Sequence, residues 1–269
     1  RVSRLGVVIA EAPAQLPTEP ERNSAGRGLL ILSNTLGLDF GFEVRLEKGI
    51  PISAGMGGSS ASAVASLVAA NALLEQPLPG RELLRYALEG EYAASETHTA
   101  DNVAPILFGG LVLVSPDFPP VVTSVPVPKD LRCVVVHPAI EVDTRTARAT
   151  LDPMCKLSDA VHQSARLAQF VAGCFENDPE LIRGSFEDVL VEPQRERLVP
   201  GFFDVKEAAV RAGALGCSLS GGGPSVFAWS PAIRATAVAQ AMQAVFDELG
   251  VDSESWTTRI DAPGARLES

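Results

Sequence analysis

Apolar and polar positions alternate along residues 41–47, GFEVRLE, and a glycine-rich turn follows directly. Such alternation predicts a half-buried strand. The next segment, residues 59–76, is apolar on nearly every face and rich in small residues, which predicts a buried helix that starts at the turn. Ser59 or Ser60 is the expected N-cap of this helix, because a serine hydroxyl accepts hydrogen bonds from first-turn N–H groups.

Further along the chain the pattern switches between the helical and the strand period. Leucines at helical spacing predict a helix over residues 81–96, whereas the apolar run 106–114 predicts a strand. Prolines cluster from Pro116 to Pro128. Because such a stretch cannot sustain a helix, it indicates a domain boundary.

The second half of the chain mixes strands with helices. It is predicted to contain a strand over 131–138, a glycine turn between two strands at 217–229 and a final strand over 253–260. Helical patterns cover 156–176, 178–190, 202–213 and 231–249. Strands and helices do not alternate strictly, which favours an α+β architecture. We place one domain at residues 1–126 and a second at residues 127–269.

Composition narrows the class of protein. With 46% hydrophobic and 20% charged residues over 269 positions, the chain has the makeup of a soluble enzyme with a substantial core. A formal net charge of -11 disfavours binding to phosphate backbones and to anionic membranes. We therefore expect neither nucleic acid nor a membrane as a partner.

The cysteine pattern and the first residues of the sequence are informative about the cellular location. Cys133, Cys155, Cys174 and Cys217 form no CxxC pair, so neither a zinc site nor a disulfide framework is indicated, and a cytoplasmic location is expected. The first residues carry no secretory signal pattern. The sequence begins without methionine and as though inside a strand, so we expect further sequence upstream.

The glycine-rich turn has the composition of a phosphate-binding loop. Backbone N–H groups at the start of a helix supply convergent donors, and Gly55, Gly57 and Gly58 let the backbone approach phosphate oxygens closely. Ser59 and Ser60 add hydroxyls for phosphate or a metal ion. A serine-capped strand-to-helix turn is the simpler interpretation, and the GK[ST] ending of a P-loop is missing. The candidate nucleotide-binding residues are Pro51, Ile52, Ser53, Ala54, Gly55, Met56, Gly57, Gly58, Ser59, Ser60 and Ala61.

Four segments together resemble a known enzyme family. PISAGMGGSSAS is similar to the PxxxGLGSSAA motif of the GHMP kinases, with methionine for leucine and one extra glycine. HTADNVAP, EPQRERLVPGF and SGGGPS resemble segments of the homoserine kinases within that family. The resemblance implies a two-domain α+β GHMP kinase fold, with an N-terminal ribosomal-protein-S5-like domain and a C-terminal ferredoxin-like domain. It further implies ATP, Mg²⁺ and phosphorylation of the hydroxyl of L-homoserine.

The resemblance also assigns a metal site. Glu91 lies eleven residues before Asn102, the distance at which homoserine kinases have a glutamate that helps to hold magnesium. A loop serine is the second implied ligand, with Ser59 favoured over Ser60. One or two protein oxygens are enough for Mg²⁺ bound to ATP. A solvated helical glutamate is the plain alternative, as for the neighbouring Glu89.

Further substrate contacts are implied around HTADNVAP. Asn102 matches the residue that contacts the substrate amino acid, and Asp101 matches an acidic position that some GHMP kinases use as a base. Homoserine kinases usually work without a base, by positioning and charge neutralisation. His98 lies one residue farther from Asn102 than the histidine of the family, and Thr99 occupies the usual histidine position.

An amino-acid substrate carries a carboxylate, which arginine binds with two parallel hydrogen bonds. AIEVDTRTARATL resembles the PxxxVxTxxAR segment of the family, which places Thr144 and Arg148 near the substrate. EPQRERLVPGF nominates Arg195 as the second carboxylate partner. The SGGGPS turn resembles the third GHMP motif, which approaches the phosphates, and nominates the glycines Gly221, Gly222 and Gly223.

Two alternatives stay open. Another GHMP kinase, such as diphosphocytidyl-methylerythritol kinase, shares the extra-glycine loop, and a non-catalytic GHMP-fold protein would bind nucleotide or metabolite without phosphoryl transfer. Family members begin with a strand segment similar to APASSANLGPGFD, whose Asn and Asp contact the substrate, and this sequence contains no such segment. The expected partners are ATP and L-homoserine. A homodimer is left open.

Overall fold

The computed structural model describes residues 6–13, 16–142 and 144–268, and the side chains of residues 144–146 lie outside this description. The chain divides into two compact units. The first consists of Arg1–Pro51, Gly57–Ser124 and Pro263–Ser269, and the second of Ile52–Met56 and Val125–Ala262. The domain boundaries at residues 126 and 127 stay a prediction. The boundary between the units also cuts the glycine-rich turn after Met56, and the closing segment Pro263–Ser269 belongs to the first unit.

The first unit opens with a β–α–β arrangement. Strand β1 (Val7–Glu11) pairs in parallel with strand β2 (Phe42–Arg45), and helix α1 (Ser24–Leu36) connects them. Helix α1 is not among the elements predicted from the sequence. This helix begins at Asn23, whose side chain accepts a hydrogen bond from the N–H of Ala25 at 2.8 Å. The strand predicted over 41–47 is confirmed as β2.

Three further helices build the core of the first unit. They are α2 (Gly58–Asn71), α3 (Gly80–Ser95) and α4 (Val103–Phe108). Strands β3 (Leu111–Val114) and β4 (Val122–Val125) follow and pair with each other. The largest buried side chains of this core are Leu29, Leu32, Val64, Leu67, Tyr86, Leu88 and Val103.

Two expectations for this unit need correction. The apolar run 106–114 is not one strand, because residues 106–108 complete helix α4 and only Leu111–Val114 is extended. Gly109 and Gly110, both with positive φ, separate the two elements. Periodicity cannot distinguish a short buried helix from a buried strand, which explains the error. The loop helix also ends at Asn71 rather than at residue 76.

The second unit is built on a four-stranded antiparallel sheet. Its strands are β5 (Leu131–Pro138), β6 (Gly216–Leu219), β7 (Val226–Pro231) and β8 (Ser253–Arg259), in the spatial order β6-β7-β5-β8. With helices between β5 and β6 and between β7 and β8, this is the β-α-β-β-α-β order of a ferredoxin-like domain. All four strands lie where the sequence predicts them.

The helices of the second unit are α5 (Thr144–Ala149), α6 (Leu157–Glu176), α7 (Pro179–Arg183), α8 (Glu192–Arg195), α9 (Phe202–Arg211) and α10 (Ala235–Glu248). The helix predicted over 178–190 is wrong beyond Arg183, since residues 184–190 are not helical. Helices α9 and α10 pack on one face of the sheet. The core there contains Val134, Val136, Phe202, Val205, Ala228, Val238, Met242 and Phe246.

Aromatic side chains cover the strands from another direction. Phe170 of α6 and Phe186 both contact Trp229 of β7, with ring centroids 5.0 and 6.1 Å apart. Phe186 lies directly over Gly216, the first residue of β6. A Cβ atom at position 216 would be 2.0 Å from Cγ of Phe186, so only glycine fits beneath this ring.

Gly216→Ala is therefore expected to destabilise the protein by about 1–3 kcal/mol, the usual cost of overpacking a core. Thermal and urea unfolding followed by circular dichroism measures this change. Adding Phe186→Leu to the variant should recover part of the loss, because the smaller side chain leaves room for the new methyl group. A Gly216→Ala protein that unfolds like the unaltered chain would contradict the close packing.

No helix in the described part of the chain combines the length and the apolar character needed to cross a membrane.

Candidate active site

The glycine-rich turn leads into α2 without a side-chain cap. Gly57, in the left-handed conformation with φ +68°, is the N-cap, and within the described part of the chain the helix has no side-chain cap hydrogen bond. The prediction that Ser59 or Ser60 caps the helix is thus wrong, since both lie inside the first turn. Uncapped N–H groups at a helix start are donors for an anion, and the helix dipole adds to the attraction.

Both loop serines instead donate to one carboxylate. The hydroxyl of Ser59 lies 2.8 Å and that of Ser60 2.7 Å from Oε2 of Glu91. Glu91 is only 7% exposed, because it continues the buried side of α3 formed by Leu84 and Leu88 at helical spacing. A buried carboxylate needs such partners, and the three oxygens form one compact cluster.

Lys48 lies beside this cluster, although no sequence motif nominated it. Its ammonium group donates to the carbonyl oxygen of Gly58 and, at 2.9 Å, to the hydroxyl of Ser62. Burial lowers the pKa of Lys48, and the negative charge of Glu91 opposes that change. Its position at the end of the alternating segment, just before the glycine turn, was the available signal.

Asn102 also lies next to the turn. It stands at the start of α4, and a Cβ atom on Gly57 would be 3.0 Å from its Oδ1. Asp101, the neighbouring candidate, is exposed. The structure therefore brings Asn102 to the C-terminal half of the loop.

The candidates His98 and Thr99 are placed differently. Nε2 of His98 lies 3.2 Å from Oε1 of Glu89, and its ring stacks on Tyr92 with centroids 4.6 Å apart. Glu89 also pairs with Arg27 at 3.1 Å. His98 thus has partners on α3, while Thr99 is exposed.

Within the second unit, the first half of the loop packs against the other glycine turn. Ser220 donates to the carbonyl oxygen of Gly55 at 2.9 Å, and the N–H of Ser225 donates to that of Ala54 at 3.4 Å. Gly55 has φ +71°, and a Cβ atom there would lie 2.4 Å from the carbonyl oxygen of Ser220. This role of Ser220 could not be predicted, since no local pattern links residues this far apart.

The two predicted arginines lie beside this second turn. Arg195 donates to the carbonyl oxygens of Gly221 at 2.8 Å and of Ala147 at 3.3 Å. Burial lowers the pKa of Arg195; nearby Asp188 raises it, and the positive charge of Arg148 lowers it further. Arg148 is exposed at the end of α5, and Gly222 lies close to Ala147 of that helix. The side chain of Thr144 lies outside the described residues.

The structure thus groups the candidates in two sets. In the first unit, Gly57, Ser59 and Ser60 lie with Glu91 and Asn102. In the second unit, Ile52–Met56, the SGGGPS turn, Arg148 and Arg195 lie together. Among the described residues, no three histidine, cysteine, aspartate or glutamate side chains form a cluster that could hold a metal ion by themselves.

Comparison with known proteins decides the family. The chain matches the family model of the GHMP kinases N terminal domain over residues 23–110 and that of the GHMP kinases C terminal over residues 167–248. A homoserine kinase of Xylella fastidiosa (strain M12) is 48% identical over 253 residues, covering 94% of this chain and 78% of that protein. The chain belongs to the homoserine kinases of the GHMP kinase family. The homoserine kinase of Xanthomonas campestris pv. campestris (strain B100) is 47% identical over 253 residues, which cover 94% of this chain and 78% of that protein.

Solved structures of GHMP kinases are also similar to this chain. The crystal structure of homoserine kinase from Cytophaga hutchinsonii ATCC 33406 is similar with a TM-score of 0.93 and 42% identity, over 96% of this chain and 84% of that chain. A 4-(cytidine 5'-diphospho)-2C-methyl-D-erythritol kinase, at 20% identity and a TM-score of 0.59, shares the fold alone. The predicted family and two-domain GHMP kinase fold are confirmed, and this GHMP kinase is an ATP-dependent enzyme that phosphorylates a hydroxyl group.

Proposed function

We propose that this GHMP kinase transfers the γ-phosphoryl group of ATP to the hydroxyl of L-homoserine and releases O-phospho-L-homoserine and ADP. The observation that carries the proposal is the 48% identity to a homoserine kinase over 94% of the chain. The arginine pair beside the second glycine turn adds chemical support, because the carboxylate of an amino acid requires such donors. Neither observation points to a substrate that lacks a carboxylate.

The residues of the loop would hold the phosphates of ATP. The uncapped first turn of α2 offers backbone donors and the positive end of a helix dipole. Lys48 would fix this turn through the carbonyl oxygen of Gly58 and the hydroxyl of Ser62. In the second unit, Ser220 would keep the first half of the loop in place through the carbonyl oxygen of Gly55.

Glu91 and a loop serine fit a magnesium site. Their carboxylate and hydroxyl oxygens form one cluster, and Mg²⁺ prefers oxygen ligands and commonly takes one or two from protein, with phosphate oxygens and water completing the set. Bound Mg²⁺ would neutralise negative charge on the phosphates. We favour Ser59 over Ser60 as the second ligand, because Ser60 is fully buried whereas Ser59 is partly exposed.

The substrate would be held by its carboxylate. Arg148 and Arg195 are the proposed donors, and Asn102 and Thr144 are proposed as further contacts. We favour Thr99 over His98 as a contact, because the His98 side chain already contacts Glu89 and Tyr92. The substrate hydroxyl oxygen forms the new bond to the γ-phosphorus as the bond from that phosphorus to the β–γ bridging oxygen breaks. The hydroxyl proton passes to water or to the exposed carboxylate of Asp101. A loose transition state of this kind depends mainly on positioning and charge neutralisation.

A coupled ADP-release assay with a panel of alcohols tests the proposed substrate. L-Homoserine is expected to be turned over, whereas its analogue with the carboxylate reduced to an alcohol, 2-aminobutane-1,4-diol, should be a poor substrate. O-Methyl-L-homoserine lacks the acceptor hydroxyl and should release no ADP above the background with ATP alone. A preference for diphosphocytidyl-methylerythritol would overturn the substrate, and calorimetric ATP binding without ADP release from any alcohol would indicate a non-catalytic protein.

Arg148→Ala is expected to raise the KM for homoserine about 10- to 100-fold, the loss that corresponds to hydrogen bonds between charged groups. The KM for ATP should change less than about threefold, since a residue that binds only the substrate carboxylate adds little to nucleotide binding. The homoserine KM of Arg148→Lys should lie between those of the unaltered chain and of Arg148→Ala, because lysine keeps the charge but not the planar pair of donors.

Steady-state kinetics with each substrate varied in turn separates these effects. Arg211→Ala is the matched control, because Arg211 is an exposed arginine of the same unit that pairs with Glu207 at 2.9 Å. It should leave both KM values unchanged. Equal increases of the homoserine and ATP KM values in Arg148→Ala would contradict the assignment.

A further inference from the structure

Helix α6 turns its polar side towards the protein. Arg166 donates to Glu187 at 2.6 Å, and the side chain of Gln163 accepts a hydrogen bond from the N–H of Val189 at 3.0 Å. A surface helix normally shows the reverse arrangement, with its apolar side towards the core and its polar side in water. The opposite side of α6 therefore needs an explanation of its own.

That opposite side is apolar and exposed. Leu157 is 80% exposed, Val161 60% and Phe175 59%, and no residue in line with them on this side is charged. The positions follow one another at alternating distances of four and three residues, which is the spacing of a seam that packs against a second helix. We call this set the α6 stripe; its members are Leu157, Val161, Ser164, Ala168, Val171 and Phe175.

The α6 stripe has the same pattern when it is read from either end. Leu157 and Phe175 close the stripe at equal distances from Arg166, and the small residues Ser164 and Ala168 lie at equal distances nearer the middle. An interface with a two-fold axis requires a patch that is complementary to itself. The symmetric order of large and small residues therefore fits a second copy of this chain as the partner.

Charge determines which way the two helices run. Lys156 immediately precedes α6, and Glu176 is its last residue. Antiparallel copies bring the end with Lys156 beside the end with Glu176 and oppose the two helix dipoles, whereas parallel copies bring like charges together. The formal net charge of -11 also opposes association through charged parts of the surface, so the uncharged stripe is the favoured contact.

We propose that the chain forms a homodimer in which the α6 stripes of two copies pack antiparallel about a two-fold axis near Arg166. Leu157 of each copy then lies beside Phe175 of the other, and the small residues in the middle allow the helix backbones to approach closely. Met154, 77% exposed just before the helix, extends the apolar surface at the same end. Removing these side chains from water drives the association.

Sedimentation equilibrium of the chain over a series of concentrations tests the proposal. The chain should change reversibly from a monomer of 28.3 kDa to a species of twice that mass as its concentration rises through the micromolar range. A chain that is folded by circular dichroism and stays monomeric throughout the series would overturn the dimer.

Two matched variants locate the interface. Val161→Glu should raise the dissociation constant of the dimer at least about tenfold, because it places a charge from each copy in an apolar contact. Val210→Glu is the control, since Val210 is an exposed residue of α9, 45% accessible, and the substitution changes the net charge equally. Its dissociation constant should stay within about twofold of that of the unaltered chain. Equal dissociation constants for the two variants would place the contact elsewhere and overturn the proposal.

Disulfide trapping tests the antiparallel direction and does not depend on the folding of Val161→Glu. In a Cys155→Ser background, which removes the exposed cysteine, one chain carries Ser164→Cys and a second, tagged chain carries Ala168→Cys. After mixing under reducing conditions and mild oxidation, the mixed disulfide should exceed the disulfide that either variant forms with itself. Cross-linking of each variant mainly with itself would indicate parallel helices and overturn the arrangement, and absence of any cross-link would overturn the contact.

Discussion

Glu91→Gln is expected to lower kcat by about 10²- to 10³-fold, the loss typical of removing one group that stabilises transition-state charge. The glutamine keeps the volume of the side chain and can still accept a hydrogen bond from a serine, so the fold should persist. What disappears is the negative charge proposed to hold Mg²⁺. The variant should therefore also need a higher Mg²⁺ concentration for half-maximal rate, measured by kinetics over a MgCl₂ series at saturating ATP and homoserine.

Glu89→Gln is the matched control for this experiment. Glu89 lies two residues earlier on α3, and its carboxylate pairs with Arg27 and His98 instead of the loop serines. Its replacement should change kcat less than about threefold. If Glu91→Gln retained the parental kcat and magnesium dependence, the proposed metal site would be wrong. Where Glu91→Gln lowers kcat and raises the Mg²⁺ requirement as expected, comparing Ser59→Ala with Ser60→Ala over the same series identifies the second ligand.

Gly55→Ala is expected to abolish measurable ATP binding and turnover. Two costs combine at this position. The φ of +71° disfavours any residue with a Cβ by about 1–2 kcal/mol. The added Cβ would also lie 2.4 Å from the carbonyl oxygen of Ser220 and 2.5 Å from that of Gly223, and backbone atoms cannot rotate away as a side chain can. The loop must therefore leave its position on the second glycine turn.

Isothermal calorimetry with MgATP measures the loss, and thermal unfolding shows whether the rest of the protein is intact. Gly49→Ala is a suitable control, because a Cβ atom at Gly49 meets nothing within 4 Å and its φ lies outside the left-handed range. It should bind MgATP about as tightly as the unaltered chain. Unchanged MgATP affinity in Gly55→Ala would refute the proposal that this loop holds the phosphates.

The parts of the site that follow from local pattern could be predicted from the sequence. Glu91 lies on the buried side of a helix whose leucines set the spacing, and the glycine turn follows a strand whose alternation is clear. Strand β5 was predicted over residues 131–138, and it lies there because its β-branched run has no competing helical pattern.

The parts of the site that depend on contacts between residues distant in sequence could not be predicted. Ser59 and Ser60 look like helix caps until Glu91, on another helix, is brought to their hydroxyls. Ser220 and Gly55 meet only after the second unit has folded. Lys48 carried a local signal, but nothing in the pattern shows that its ammonium group turns towards Gly58. Tertiary contacts decided each of these cases.

The closing segment has a consequence for how the protein is made. Ala265 donates to the carbonyl oxygen of Ile106 at 2.8 Å, Pro263 bridges to Gly109, and Gly264 leaves no room for a side chain beside Leu107. These partners all belong to the first unit, although they are separated from Pro263 by most of the second. Residues 263–265 must therefore be translated and leave the ribosome before the first unit is complete, and a gene fragment that stops at residue 126 encodes an incomplete first unit.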